Sequence, residues 1–97
     1  MARTLEADIL VPTLKGLATN GCMDTAARLA YLEGVMTLSE EDLEILNNRN
    51  DTRFSQIVRN QVSHRNDEGN IVAEGYATYD PVRGLCITDK GRKLISR

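Results

Sequence analysis

Hydrophobic positions recur with a helical period through most of the chain, and the pattern changes to a period of two only in the last quarter. In "EADILVPTLKGLATNG", Leu10, Leu14 and Leu17 fall on one stripe at i, i+4 and i+7. Pro12 fits poorly in a helix interior, so the regular helix is expected to begin near it. Asn20 and Gly21 readily take the left-handed conformation that ends a helix. "CMD" is expected as a short extended piece before a second helix, "DTAARLAYLEG". Asp24 or Thr25 can cap that helix. Ala26, Leu29, Ala30 and Leu32 or Glu33 follow at helical spacing, and Gly34 stops it.

"TLSEEDLEIL" reads as a third helix, with Thr37 and Glu40, or Ser39 and Asp42, as a capping box and acids in the first turn. A polar loop, "NNRNDT", leads to a fourth helix, "TRFSQIVRNQVSHR", residues 52–65, capped by Asp51 or Thr52. After the loop "NDEGN" the period shortens. "YATY" alternates, "DPVRG" is rich in turn formers and "LCIT" is β-branched, which predicts two strands joined by a Pro/Gly turn over 76–88. A last helical turn fits 89–96. The expected fold class is α+β, with about four helices followed by a β-hairpin, the layout of a winged helix-turn-helix.

The fourth helix has two unlike faces. Phe54, Ile57, Val58 and Val62 span roughly 300° through 80° of its circumference. Arg53, Gln56, Arg59, Asn60, Ser63 and His64 fill roughly 140° to 280°. Residues 52–65 contain neither an acid nor a lysine, although a merely solvated face usually carries both. Arginine forms bidentate bonds to guanine, Asn and Gln form them to adenine, and Ser serves base or phosphate, so this face is expected in a major groove. His64 suits a phosphate contact or a helix cap. Gln61 falls on the apolar side, where it needs a partner at the rim or on the hairpin. Arg83 at the hairpin tip can reach a phosphate or the minor groove, and Lys90, Arg92 and Lys93 can follow the backbone. Tyr76 and Tyr79 can contact sugar or phosphate through their hydroxyls, but alternating along a strand they read more readily as packing residues.

Composition narrows the function classes. Ninety-seven residues fit one domain, and with no Trp and one Phe the core must be mostly aliphatic. No apolar run is long enough to span a bilayer and the first ten residues hold no signal-peptide core, so a cytoplasmic protein without a membrane partner is expected. Cys22 and Cys86 lie far apart, outside any CxxC pair, and His64 is the single histidine. That is no zinc set, and two reduced, partly buried thiols are expected, with no metal and no cofactor. Phosphate-loop, GxSxG and HExxH signatures are missing, so no enzymatic activity is expected. The net charge of −2 hides an asymmetry: residues 1–46 carry three cations against eight acids, and residues 47–97 nine against six. A split of −5 and +3 suits a polyanionic partner for the second half.

"PTLKGLATNGCMDTAARLAYL", "LSEEDLEIL", "RFSQIVRNQVSH" and "RGLCITDKGRKLI" together resemble the winged-helix domain at the N-terminus of Mrr-type restriction endonucleases. The likeness covers about residues 10–96. It implies a DNA-binding module, used in restriction-modification or transcription regulation and usually attached to a nuclease domain, with Arg53, Gln56, Arg59, Asn60 and Ser63 facing DNA. It leaves two readings of 1–97: a single domain cut from a longer protein, or a stand-alone relative. Where the family continues from the recognition helix into an apolar segment, this chain has "SHRNDEGNIVAEGY". The expected partners are duplex DNA, a second copy in a homodimer, and an attached nuclease domain. The alternative is a winged-helix protein-interaction module without nucleic acid, with Glu40, Glu41, Asp42 and Glu44 as its contact face.

Overall fold

The leucine stripe of the first helix closes one side of the interior. The computed structural model describes residues 4–45 and 52–96. A 3-10 turn, Glu6–Ile9, leads into α1, Leu10–Asn20. Leu14 and Leu17 are fully buried and Leu10 partly so. Pro12 occupies the first turn of α1, where a backbone N–H has no acceptor within the helix to lose. Gly21 ends α1 at a φ of 82°, and its N–H donates to the Leu17 carbonyl. The expected extended piece is β1, Cys22–Met23. α2, Thr25–Val35, is capped by Asp24, whose carboxylate accepts from the Ala27 N–H at 2.8 Å, and it runs one residue past Gly34.

Of the stripe that periodicity suggests on α2, Leu32 and, in part, Leu29 face the core, whereas the two alanines do not. Ala26 and Ala30 are exposed, while Arg28 and Leu32 are buried. The Arg28 guanidinium, 1% exposed, donates to the Gln61 side-chain oxygen at 3.0 Å, the Met23 carbonyl at 3.0 Å, Thr25 Oγ1 at 3.3 Å and the Val58 carbonyl at 3.5 Å. Gln61 passes the chain on, donating to Thr13 Oγ1 at 2.9 Å. One buried network thereby ties α1, β1 and α2 to α3, Arg53–Ser63. It borders two apolar clusters, one of Leu14, Leu17, Met23, Ile71, Ala77 and Leu85, the other of Ile9, Leu32, Phe54 and Val58. Burial pulls the guanidinium pKa down to about 10, against the opposing pull of Asp24.

The helix expected from "TLSEEDLEIL" is a single turn at 40–43. Its reciprocal cap does form: the Ser39 N–H donates to the Asp42 carboxylate at 3.0 Å and the Asp42 N–H to Ser39 Oγ at 3.1 Å. Propagation stops because the carbonyls a helix would use are taken. The Phe54 N–H donates to the Asp42 carbonyl and the Arg53 N–H to the Glu44 carbonyl, which satisfies the orphan donors at the start of α3. Asp42 itself is buried and also accepts from the Thr4 N–H and hydroxyl. The polar loop expected at 47–52 lies almost wholly outside the described residues.

The hairpin follows its expectation. β2, Ala77–Asp80, and β3, Gly84–Ile87, are antiparallel, and β3 also pairs with β1, giving the order β1-β3-β2. The seam between β1 and β3 is tight at Gly84, whose φ is 90° and where a Cβ would overlap the Met23 carbonyl oxygen and the Asp24 backbone. In that seam Cys22 lies directly opposite Cys86, and the two are joined by a disulfide. The expectation of two reduced thiols is therefore corrected: strand order brings into register two cysteines that lie 64 residues apart. Closing a loop of that length removes about 4 kcal/mol of chain entropy from the unfolded state. α4, Asp89–Ile95, capped by Thr88, packs on α1. The described residues thus form a mixed α+β fold of four helices and a three-stranded antiparallel sheet, in which the helix expected at 52–65 is α3, before the hairpin, and the helical turn expected at 89–96 is α4, after it. No helix among them is long and apolar enough to cross a membrane.

Two predictions follow from the polar interior. Arg28→Met keeps most of the volume but strands the acceptors of Gln61 and Met23, and should lower stability by about 3 kcal/mol in urea unfolding. Burial raises the Asp42 pKa, but the bonds from Ser39 and Thr4 outweigh it and hold the carboxyl below its ordinary value. Its stabilisation is complete above the unfolded carboxylate pKa of about 4 and is lost as pH falls through the lower folded value. The urea midpoint of Asp42→Asn should therefore fall less steeply on acidification than that of the native chain.

Candidate nucleic-acid interface

α3 begins with a reciprocal cap. Thr52 Oγ1 accepts from the Ser55 N–H and Ser55 Oγ from the Thr52 N–H, both at 3.1 Å. Phe54, Ser55, Val58 and Gln61 face inward, and Ile57 and Val62 are partly buried. Gln61, the polar residue on the apolar side, is held by Arg28 and Thr13 rather than at the rim or the hairpin. Its burial leaves the opposite face of α3 outward.

That outer face is bonded along its length. Arg59 Nη2 donates to the Gln56 side-chain oxygen at 2.7 Å, and Gln56 Nε2 donates to the Asn60 side-chain oxygen at 2.9 Å. All three are half-buried. The ladder fixes rotamers that would otherwise be free, so a ligand meeting this face meets ordered donors and acceptors. Arg53 pairs with Glu44 at 3.3 Å. Ser63 is exposed. His64 is the C-terminal cap position of α3, and its Nδ1 lies 3.2 Å from the Glu6 carboxylate, which also accepts from Asn70 Nδ2 at 2.9 Å.

The remaining sequence-derived residues lie elsewhere. Arg83 sits at the hairpin tip 3.8 Å from Asp80, beside an open groove of about 520 Å³ lined by Asn20, Cys22, Met23, Asp24, Ala27 and Val82. The Asp80 carboxyl is held below its ordinary pKa by the backbone N–H groups of Arg83 and Val82, with a smaller contribution from the Arg83 charge. Lys90 Nζ donates to the Glu74 carbonyl at 2.7 Å and stands 5.1 Å from the Tyr76 ring. Arg92 reaches the Ala18 carbonyl at the end of α1 at 3.4 Å. Gln56, Arg59 and Asn60 are thus brought together, whereas Arg83 and Arg92 border α2 and α1 respectively.

One cation outside the sequence-derived set joins α3 to the hairpin. Arg65, just past α3, donates to the Val62 carbonyl at 2.9 Å and stacks 4.7 Å from the centre of the Tyr79 ring. The ring and the carbonyl neutralise none of its charge, so it remains a cation between helix and sheet. Its signal was present in the sequence as an arginine two residues past α3 and an aromatic on the facing strand, but Tyr79 alone reads as packing.

No family profile matches the chain, and no curated protein or solved structure matches it.

Proposed function

We propose that this protein is a winged-helix module that binds duplex DNA without catalysing a reaction, with α3 in the major groove and the hairpin on the backbone. The outer face of α3 carries the reading: guanidinium, amide and hydroxyl groups at helical spacing, with no acid or lysine over residues 52–65. The element order, with a strand between the first two helices and a sheet ordered β1-β3-β2, supports the winged-helix assignment. Lys90, Arg92 and Arg65 bond backbone carbonyls rather than carboxylates, so their charges stay available to phosphates. The resemblance to the N-terminal domain of Mrr-type restriction endonucleases supports the same reading and extends it to a cytoplasmic setting in restriction-modification or transcription regulation, with a nuclease domain or a second copy supplying the affinity one module lacks.

A protein-interaction role rests on a different surface. Leu43 and Ile45 are 50% and 61% exposed, beside exposed Glu40 and Glu41. Buried Asp42 and paired Glu44 contribute less to that face than the sequence suggests.

Fluorescence anisotropy of a labelled random-sequence duplex tests the proposal. DNA binding should weaken with a log–log salt slope of about −0.9 per phosphate neutralised. Arg59→Ala should cost roughly 1–3 kcal/mol of binding if that guanidinium reads a base. Absence of binding at low salt would move the assignment to the Glu40–Ile45 surface.

A further inference from the structure

β1 is only two residues long, so few backbone bonds join it to β3, although Ala77 and Leu85 of the hairpin also pack against Leu14 and Leu17 of α1. Along this seam Cys22 faces Cys86, Met23 faces Leu85, and the Ile87 N–H donates to the Gly21 carbonyl at 3.0 Å. The disulfide is the covalent link in this seam. Both cysteines are only partly buried, and neither belongs to an apolar cluster. Cys22 lines the open groove between the hairpin tip and the start of α2, which is the side from which a solvent-borne reagent approaches the bond.

We propose that Cys22–Cys86 is a site of reversible thiol–disulfide exchange that sets how firmly the hairpin is fastened to the helical body. The co-reactants are a small dithiol in one direction and a glutathione-type disulfide in the other. A thiolate of the dithiol attacks Cys22 Sγ, the Sγ–Sγ bond breaks, and Cys86 leaves as a thiolate. The second thiolate of the reagent then displaces Cys22, so the reagent ends as a disulfide and the protein has gained two electrons and, after protonation, two protons. Oxidation runs through the mixed disulfide in reverse and releases two glutathione thiols. Neither sulfur bonds to the Arg28 network, and the packing of Met23 and Leu85 in the apolar cluster beside the disulfide does not require the bond, so the opened protein keeps its core while the pairing around Cys22 and Cys86 loosens. The inference is independent of DNA binding.

The test uses the full chain under native conditions. After dithiothreitol, alkylation followed by mass measurement should add two labels, and after glutathione disulfide none. Amide exchange at Ile87 should accelerate by about tenfold or more on reduction, while Val58 in α3 changes by less than about twofold. A Cys22→Ser/Cys86→Ser variant should show the fast Ile87 exchange in either redox buffer, and if it fails to fold the native-chain measurement decides alone. Failure to label the folded protein, unchanged Ile87 exchange, or Val58 accelerating together with Ile87 would each overturn the proposal. The last would mark the bond as a staple of the whole fold.

Discussion

A guanidinium removed from water must have its donors met, and Arg28 meets them with groups from three different elements: the Gln61 side chain and Val58 carbonyl of α3, the Met23 carbonyl of β1, and Thr25 on its own helix. No carboxylate bonds it directly, so dipoles meet its donors with only a weaker pull from the Asp24 charge, and the geometry has little latitude. Shifting α3 along its axis would leave Gln61 or the cation unsatisfied. Rotating it would carry Gln61 off Thr13 as well. The apolar clusters on either side supply the drive to collapse, while the polar network selects one register among the packings they would tolerate.

The consequence reaches the outer surface. With Gln61 fixed inward, Gln56, Arg59 and Asn60 are fixed outward, where they bond one another into an ordered row. Arg65 on Tyr79 then couples the end of α3 to the hairpin. On the opposite edge of the sheet, the Gly84 approach and the disulfide couple the hairpin to β1. The candidate interface therefore joins the ordered row on α3 to a hairpin held by the apolar cluster, the Arg65–Tyr79 contact and the disulfide.

Much of this organisation was legible in the sequence, for identifiable reasons. The leucines of α1, the glycine at its end, the two faces of α3 and the turn-rich hairpin carry local signals, and the structure contains those elements. Arg28 was not legible, because a buried arginine and a surface arginine look alike in a helical pattern; of the expected stripe beside it, Leu32 and Leu29 face the core and the alanines do not. The acidic segment had a true cap but lost its helix to a long-range competition, the N–H groups of α3 taking its carbonyls. The disulfide depends on strand order, which cysteine spacing alone does not encode. Among the candidate site residues the α3 face was local and readable. The contacts of His64 with Glu6 and of Arg92 with Ala18 span distances in sequence that no pattern reports.

The central claim is that the network around Arg28 presents the outer face of α3, together with the hairpin, as a surface for duplex DNA. Titrating the isotopically labelled chain with a short duplex at low salt, and following every backbone amide by heteronuclear NMR, tests it residue by residue. The account predicts shifts concentrated at residues 53–65 and 79–84, with residues 37–45 left nearly unmoved. Shifts confined to 37–45, or none at any concentration of duplex, would contradict it.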